Sequence, residues 1–301
     1  MLSEDKARTI LQKVRTIELR TRVLMNDALS GAYHSIFKGQ GINFEEVREY
    51  TPGDEVRFID WNVSAKLGKP FVKVFREERE LTLLLAIDIS GSTHCGSVGQ
   101  SKREFATEIA SVFAFSALKN NDKVGLFLFS DKVEKFIPPL KGSKQLLRLI
   151  RETLFFQPEH KQTDLCAALT ALGQLQKKKA IICLISDFMP TTKSDFSQEL
   201  SALSRLNQHH DLLCIQVNDP REQEIPNVGY VALEDAETGQ TFYLDTRNKS
   251  FREQFAAHQK SQQKLIQTLC QRKGIDFLQL TNGQNYLNTL QAFFKRRQQL
   301  K

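Results

Sequence analysis

Five oxygen-bearing side chains set the chemistry this sequence can do: Asp88, Ser90 and Ser92 at alternate positions, then Thr163, then Asp187. In Asp88-Ile-Ser-Gly-Ser92 an extended turn lets the alternate side chains converge, and Gly91 allows the backbone to bend without a steric penalty. One carboxylate with two hydroxyls is a hard, oxygen-only set that suits Mg²⁺ or Mn²⁺ rather than zinc. The loop is too short and too poor in acids for an EF-hand. A threonine hydroxyl and a second carboxylate would make a mostly neutral, incomplete coordination sphere. Mg²⁺ in such a sphere keeps waters and can accept a carboxylate from outside.

Each piece alone also has an ordinary structural reading. Serines and aspartates populate loops because they make local turns and caps. Thr163 can serve as the N-cap of a helix beginning at Asp164, and Asp187 can do no more than hold its own turn. Placement of all three pieces at strand or loop ends on one edge of a sheet is what favours metal.

The elements that must do this positioning are legible. Leu81–Ile87 is a short continuous apolar run, as expected of a strand buried on both faces. Ser101-Lys-Arg-Glu104 is a capping-box pattern, followed by Phe105, Ile109, Val112 and Phe113 at helical spacing. Strands are expected at 124–129, at 133–137 (halted by Pro138-Pro139), at 180–186, at 212–217 and at 275–280. Helices are expected near 143–154, 164–176, 195–208 and 285–297. A hairpin joins 228–233 to 241–244 across Glu237-Thr-Gly239, and a long helix runs from Ser250 to a stop at Gly274. The alternation gives an α/β fold with an open, mainly parallel, doubly wound sheet, whose ligands sit beyond the carboxyl ends of the strands where strand order reverses.

Residues 80–301 are read as this domain. Residues 1–79 are read as an N-terminal extension packing on it, helical and basic at 4–29, then rich in Gly, aromatic and charged residues, with a short strand at 71–75. Thr51-Pro-Gly-Asp54 punctuates a turn. Asp54, Arg57, Asp60 and Trp61 form either an ion-pair cluster that fixes the extension or a partner-binding face with Trp61 as an aromatic anchor.

With 41% hydrophobic and 26% charged residues the chain is that of an ordinary globular protein, not a disordered one. No apolar run reaches the ~20 residues of a membrane-spanning helix. The charged N-terminus lacks the apolar centre of a secretory signal. Five scattered cysteines suggest neither a zinc cluster nor a disulfide framework, and a cytoplasmic setting fits best. The net charge of +7 is diffuse, with local excess at Lys177–Lys179 and Lys295–Arg297, so nucleic acid is not the expected partner. The lysine run reads as a complement to a helix C-terminus.

The set Asp88-x-Ser90-x-Ser92, Thr163 and Asp187 resembles the metal-ion-dependent adhesion site of von Willebrand factor A domains. That resemblance implies direct or near-direct ligation by Ser90, Ser92 and Thr163, with Asp88 and Asp187 acting partly through water. A narrower resemblance, to the family called domain of unknown function 58, rests on residues 41–62, Ser64-Ala-Lys66, Phe75-Arg-Glu-Glu78, Asp219-Pro-Arg-Glu222 and Glu237-Thr-Gly239. It implies a bacterial protein that acts as an adaptor or chaperone-like accessory of a MoxR-type AAA+ ATPase. One departure stands out: the loop before the threonine usually carries glycines and here reads His160-Lys-Gln-Thr163.

Two other functional classes compete. A Mg²⁺-dependent phosphohydrolase would use the aspartate after the first strand as nucleophile, but such enzymes want a second acid two residues later, where this chain has Ser90. The sequence has no G-x-x-x-x-G-K-[ST] loop, G-x-S-x-G elbow or H-E-x-x-H pair, and His94 reads as a surface residue of the loop. An electrostatic binder of nucleic acid or of the anionic inner face of the membrane would bind without metal and lose its ligand in salt. The expectation is therefore a non-catalytic, metal-dependent protein-binding module, completed by a partner's Asp or Glu.

Overall fold

The computed structural model describes residues 12–21, 43–76, 80–97, 99–189, 196–234 and 239–300. The expected helix over 4–29 is thus described only at 12–21, and 31–42, Glu77-Glu78 and Glu237-Thr238 lie outside the described residues. The chain divides into a compact unit, Phe37–Leu81, and a larger unit made of the rest.

The larger unit is built on a six-stranded sheet. Its strands are β3 (Thr82–Asp88), β4 (Lys123–Phe129), β5 (Val133–Leu140), β6 (Ile181–Ser186), β7 (Asp211–Asn218) and β10 (Asp276–Thr281). They lie in the order β10-β7-β6-β3-β4-β5, parallel except for β5, which pairs antiparallel with β4 at one edge. This is the open, mainly parallel, doubly wound sheet expected from the sequence. The four central strands are apolar on both faces and almost wholly buried, which is why they read as unbroken runs rather than alternating ones.

Helices cover both faces. On one face α5 (Leu165–Leu175), α6 (Ser197–His209) and α8 (Lys249–Arg272) bring Leu169, Leu203 and Ile266 onto Leu84, Ala86, Leu184 and Cys214. On the other, α3 (Lys102–Lys119) runs behind β3, β4, β6 and β7, flanked by α4 (Ser143–Phe155) and α9 (Tyr286–Leu300). Phe113 meets Phe294 and Phe105 meets Tyr286, both edge to face. The helical residues 12–21, here α1, bury Val14, Ile17 and Thr21 in a single stripe, and Lys13 pairs with Glu104 of α3. Cys183, Cys214 and Cys270 are buried, and all five cysteines are free.

Local signals explain the boundaries. Ser101 and Glu104 form the expected reciprocal capping box at α3. At the end of α8, Gly274 takes φ +66°, and the N–H of Ile275 turns back to the Cys270 carbonyl 3.0 Å away, a left-handed stop that favours glycine. The start of α8 lies earlier than the sequence indicates. Asn248 caps it by accepting from the N–H of Phe251, so the helix begins at Lys249 rather than Ser250.

The strand after Asp131 is longer than expected. Pro138 and Pro139 do not halt β5, which continues to Leu140. An edge strand tolerates residues that donate no ladder hydrogen bond. The ladder shifts between Val124 and Leu126, and the Gln145 side chain supplies a donor to Val124 O at 3.1 Å and to Pro138 O at 3.3 Å.

The smaller unit pairs β1 (Asn43–Glu49) antiparallel with β2 (Phe71–Arg76) and contains α2 (Trp61–Leu67). The turn at Thr51–Asp54 is held by Asp54, which accepts two bonds from the Arg48 guanidinium, at 2.7 and 2.8 Å, and one from the Thr51 N–H at 2.9 Å. A two-stranded hairpin, β8 (Tyr230–Glu234) and β9 (Thr241–Asp245), belongs to the larger unit.

Gly125 in β4 has room for no more than hydrogen: a Cβ there would stand 2.9 Å from Ile137 O and 2.9 Å from Pro139 Cγ. Gly125→Ala should therefore destabilise the protein by about 1–3 kcal/mol in urea unfolding. In the smaller unit, the Arg48 hydrogen bonds, then those of Thr51, lower the Asp54 carboxyl from 3.8 to about 2. Its stabilising contribution is present above pH 3.8 and disappears as the pH falls through about 2. An NMR titration should find that midpoint, and Arg48→Ala should move it back toward 3.8.

Candidate functional site

Strand order reverses between β3 and β6, whose carboxyl ends carry the two aspartates. Asp88 is the last residue of β3, and Asp187 follows Ser186, the last residue of β6. Parallel pairing of Ile87 with Ile185 brings both acids to the same edge of the sheet. Both are buried, at 1% and 6% exposure.

A continuous chain of hydrogen bonds joins the predicted residues. The Asp88 carboxylate accepts from the Ser90 N–H at 2.9 Å and from the Ser186 hydroxyl at 2.8 Å. Ser90 Oγ and Ser92 Oγ are 3.2 Å apart, and Ser92 donates to Asp187 Oδ2 at 2.8 Å. The same Asp187 oxygen accepts from Lys102 Nζ at 3.0 Å, while its other oxygen accepts from the Met189 N–H at 3.2 Å. Four of the five predicted residues therefore share one network. Ser90 is buried and Ser92 is half-buried, so the open side of the cluster lies at Ser92. Residues 91–94 form a single 3-10 turn, in which His94 is exposed.

Thr163 sits on the neighbouring loop and is buried. That loop is tied to the serine loop by the Gly91 N–H, which donates to Lys161 O at 2.8 Å. The N-cap of α5 is Asp164, which accepts from the Ala167 N–H at 2.8 Å, so Thr163 is not needed as the cap. The glycine-free His160-Lys-Gln-Thr163 sequence has its own closure. Glu134 of β5 accepts from the N–H groups of Glu159 at 3.2 Å and His160 at 3.3 Å, and also from the Ser130 hydroxyl at 2.6 Å. The Glu134 carboxylate thus braces the loop through its backbone donors.

Electrostatics separate the two acids. Burial first, and the Asp187 charge second, push the Asp88 carboxyl up to about 7. Burial works on Asp187 in the same direction, but the Lys102 ammonium and the Ser92 and Met189 donors hold it below the ordinary carboxylate range. Burial also opposes the charge on Lys102, yet Asp187 and Glu222 keep its pKa above that of a free lysine.

Lys102 is 2% exposed and reaches Glu222 Oε1 at 2.6 Å as well as Asp187. Glu222 belongs to the short helix α7 (Pro220–Gln223), capped by Asp219. Asp219 in turn accepts from the Ser97 N–H at 2.8 Å. Lys102, Ser186 and Glu134 were not singled out from the sequence, and Glu222 entered only as part of the stretch Asp219–Glu222 that carries the family resemblance. Lys102 carried a signal, because it falls on the apolar stripe of α3, three residues before Phe105 and seven before Ile109. A lysine at such a position is buried and needs a carboxylate.

Lys102 pairs with Asp187 and Glu222, whereas Asp88 is met by the uncharged donors of Ser90 and Ser186 and is discharged in part by burial. The hydroxyls of Ser90, Ser92 and Thr163 with the two aspartates are the hard donors that Mg²⁺ or Mn²⁺ would take. Among the described residues no group of three or more His, Cys, Asp or Glu side chains is placed to hold a metal. Any such ion depends on the hydroxyls.

The second predicted set lies in the smaller unit, and its four members have different partners. Asp54 pairs with Arg48, and Arg57 with Glu55. Asp60 caps α2 through the N–H groups of Asn62 and Val63 and lies 3.4 Å from Lys73 Nζ, while Trp61 is 68% exposed. The aspartates have structural work, and Arg57 and Trp61 are the two members that face solvent.

The profile of the family described as "Protein of unknown function DUF58" matches residues 46–265. An uncharacterized protein of Mycobacterium tuberculosis is 30% identical over 228 residues, which cover 75% of this chain and 70% of that protein. Among solved structures, the conserved hypothetical protein BatB of Bacteroides thetaiotaomicron aligns with a TM-score of 0.44 at 16% identity, over 73% of this chain and 99% of BatB. An aerotolerance-related membrane protein of Bacteroides fragilis aligns with a TM-score of 0.41 at 17% identity, over 73% of this chain and 100% of that one.

Replacing Glu134 should loosen the loop that carries Thr163. In Glu134→Ala the amides of Glu159 and His160 should exchange hydrogen about fivefold faster or more, with the strand amides of β6 unchanged.

Proposed function

We propose that this chain, which belongs to the family of unknown function DUF58, is a non-catalytic protein-binding module that works through a divalent metal ion. The observation that carries the proposal is the cluster of Asp88, Ser90, Ser92 and Asp187 at the switch point of the sheet, an oxygen-only set joined by hydrogen bonds. Mg²⁺ or Mn²⁺ held by these residues and Thr163 would supply a Lewis-acidic position on the protein surface. An Asp or Glu of a partner then fills it. The half-buried Ser92 marks the side from which that carboxylate arrives.

The arrangement favours binding over catalysis. Asp88, the acid a phosphohydrolase would use as nucleophile, has its two oxygens engaged by the Ser90 N–H and the Ser186 hydroxyl and is 1% exposed. Clefts of about 460 Å³ between α5 and α6, and about 340 Å³ between α1 and α3, are lined by residues outside the cluster.

The family resemblance points to a MoxR-type AAA+ ATPase as the energy source for remodelling a client, with this chain as adaptor, and the scattered cysteines favour a cytoplasmic location, with peripheral contact to the inner membrane face as the alternative. No described helix is long and apolar enough to cross a membrane.

Calorimetric titration of Mg²⁺ and Mn²⁺ into chelator-treated protein should give saturable binding, lost in Asp88→Ala and Asp187→Ala variants that keep their circular dichroism. Partner capture should fail in chelator and survive moderate salt. Capture that resists chelator and collapses in salt would replace this reading with an electrostatic one.

A further inference from the structure

The most unusual side chain in the larger unit is Lys102. It is 2% exposed, and its ammonium bridges Asp187 Oδ2 at 3.0 Å and Glu222 Oε1 at 2.6 Å. A lysine serving only to hold α3 against the sheet would be satisfied by one interior acid, or replaced by an apolar residue, since burying a charge is costly even when it is paired. Here the ammonium sits between an acid of the candidate metal cluster and an acid outside it. It shares a single Asp187 oxygen with the Ser92 hydroxyl. A metal ion can use that oxygen only by competing with both donors.

We infer that Lys102 is a resident counter-ion that competes with the divalent metal for Asp187. It sets the affinity of the free protein low, so that the ion is held firmly only when a partner's carboxylate joins the site. The inference rests on the metal-binding reading above and specifies how that site is regulated. Lys102 and Glu222 are positioning residues in this scheme, and neither need touch the metal.

Two consequences carry opposite signs. Taking away the ammonium removes both the competitor for Asp187 and the repulsion between a fixed cation and a dication in a poorly solvated place. Metal then binds more tightly. Taking away the Glu222 charge leaves the ammonium to Asp187 alone and subtracts a negative charge from the neighbourhood. Metal then binds less tightly. Glu222 is suited to hold the ammonium from the far side, because it is fixed as the third residue of α7 in a capping box with Asp219. Asp219 is itself anchored to Ser97 in the loop that leads into α3. A merely structural role for the ion pair predicts the same sign for both substitutions, since each breaks the same bridge.

The test is calorimetric titration of Mg²⁺ into the full chain and into Lys102→Met and Glu222→Gln, with thermal unfolding of each in chelator and in Mg²⁺. The inference expects Lys102→Met to bind about tenfold or more tightly than the unaltered chain, and Glu222→Gln about tenfold more weakly. It also expects Mg²⁺ to raise the melting temperature of Lys102→Met by more than it raises that of the unaltered chain. Should Lys102→Met fold only when Mg²⁺ is present, that dependence supports the inference, and the sign found for Glu222→Gln must agree. Binding by the unaltered chain that is unchanged or weakened in a folded Lys102→Met overturns the inference and leaves the metal reading intact. Absence of Mg²⁺ binding in all three overturns both.

Discussion

Two buried carboxylates set side by side govern the arrangement around the switch point. Asp88 and Asp187 stand at the ends of neighbouring parallel strands, where both cannot be charged without compensation from elsewhere. The hydrogen-bond partners of the two carboxylates answer that constraint. Ser186 and the Ser90 N–H are spent on Asp88. Ser92, Lys102 and the Met189 N–H are spent on Asp187. The unequal provision lets one acid titrate near neutrality while the other stays ionised. Compensation then spreads outward through Glu222 and α7 to Asp219 and Ser97. The geometry of this edge of the sheet is the geometry of neutralising those two acids.

The sheet that creates the problem is simple in origin. Strands buried on both faces must be apolar throughout, and helices must cover both faces. Polar side chains are then admitted only where strands end, and the carboxyl ends of β3 and β6 are where a gap between diverging crossovers leaves room for them. The acids belong at this place because nearly every other point on those strands would leave them without solvent or partners.

Most of the core architecture was legible because its determinants are local. Unbroken apolar runs marked the strands, the Ser101–Glu104 pattern marked α3, and Gly274 marked the end of α8. The candidate ligands were legible for the same reason: Asp88, Ser90 and Ser92 form a short contiguous pattern, and Thr163 and Asp187 follow strand or loop ends. What escaped depends on contacts distant in sequence. Ser186 matters because β6 lies beside β3, and Glu222 matters because α7 folds back toward α3. Glu134 can brace the Thr163 loop only because the edge strand runs beside it. The prolines of β5 misled for a related reason. Proline is a strand breaker when a strand has neighbours on both sides, and the sequence did not reveal that this strand has one.

Those two prolines have a consequence for how the molecule meets others of its kind. Backbone N–H groups of successive strand residues point to opposite sides, so adjacent prolines blank one donor facing β4 and one facing outward. Gln145 makes good the inner deficit, and nothing is required to make good the outer one. The free margin of β5 is thereby a poor template for another chain to zip onto. Neighbouring molecules at high concentration in a cell are discouraged from extending the sheet past β5, and encounters through side chains rather than backbone are favoured on that flank.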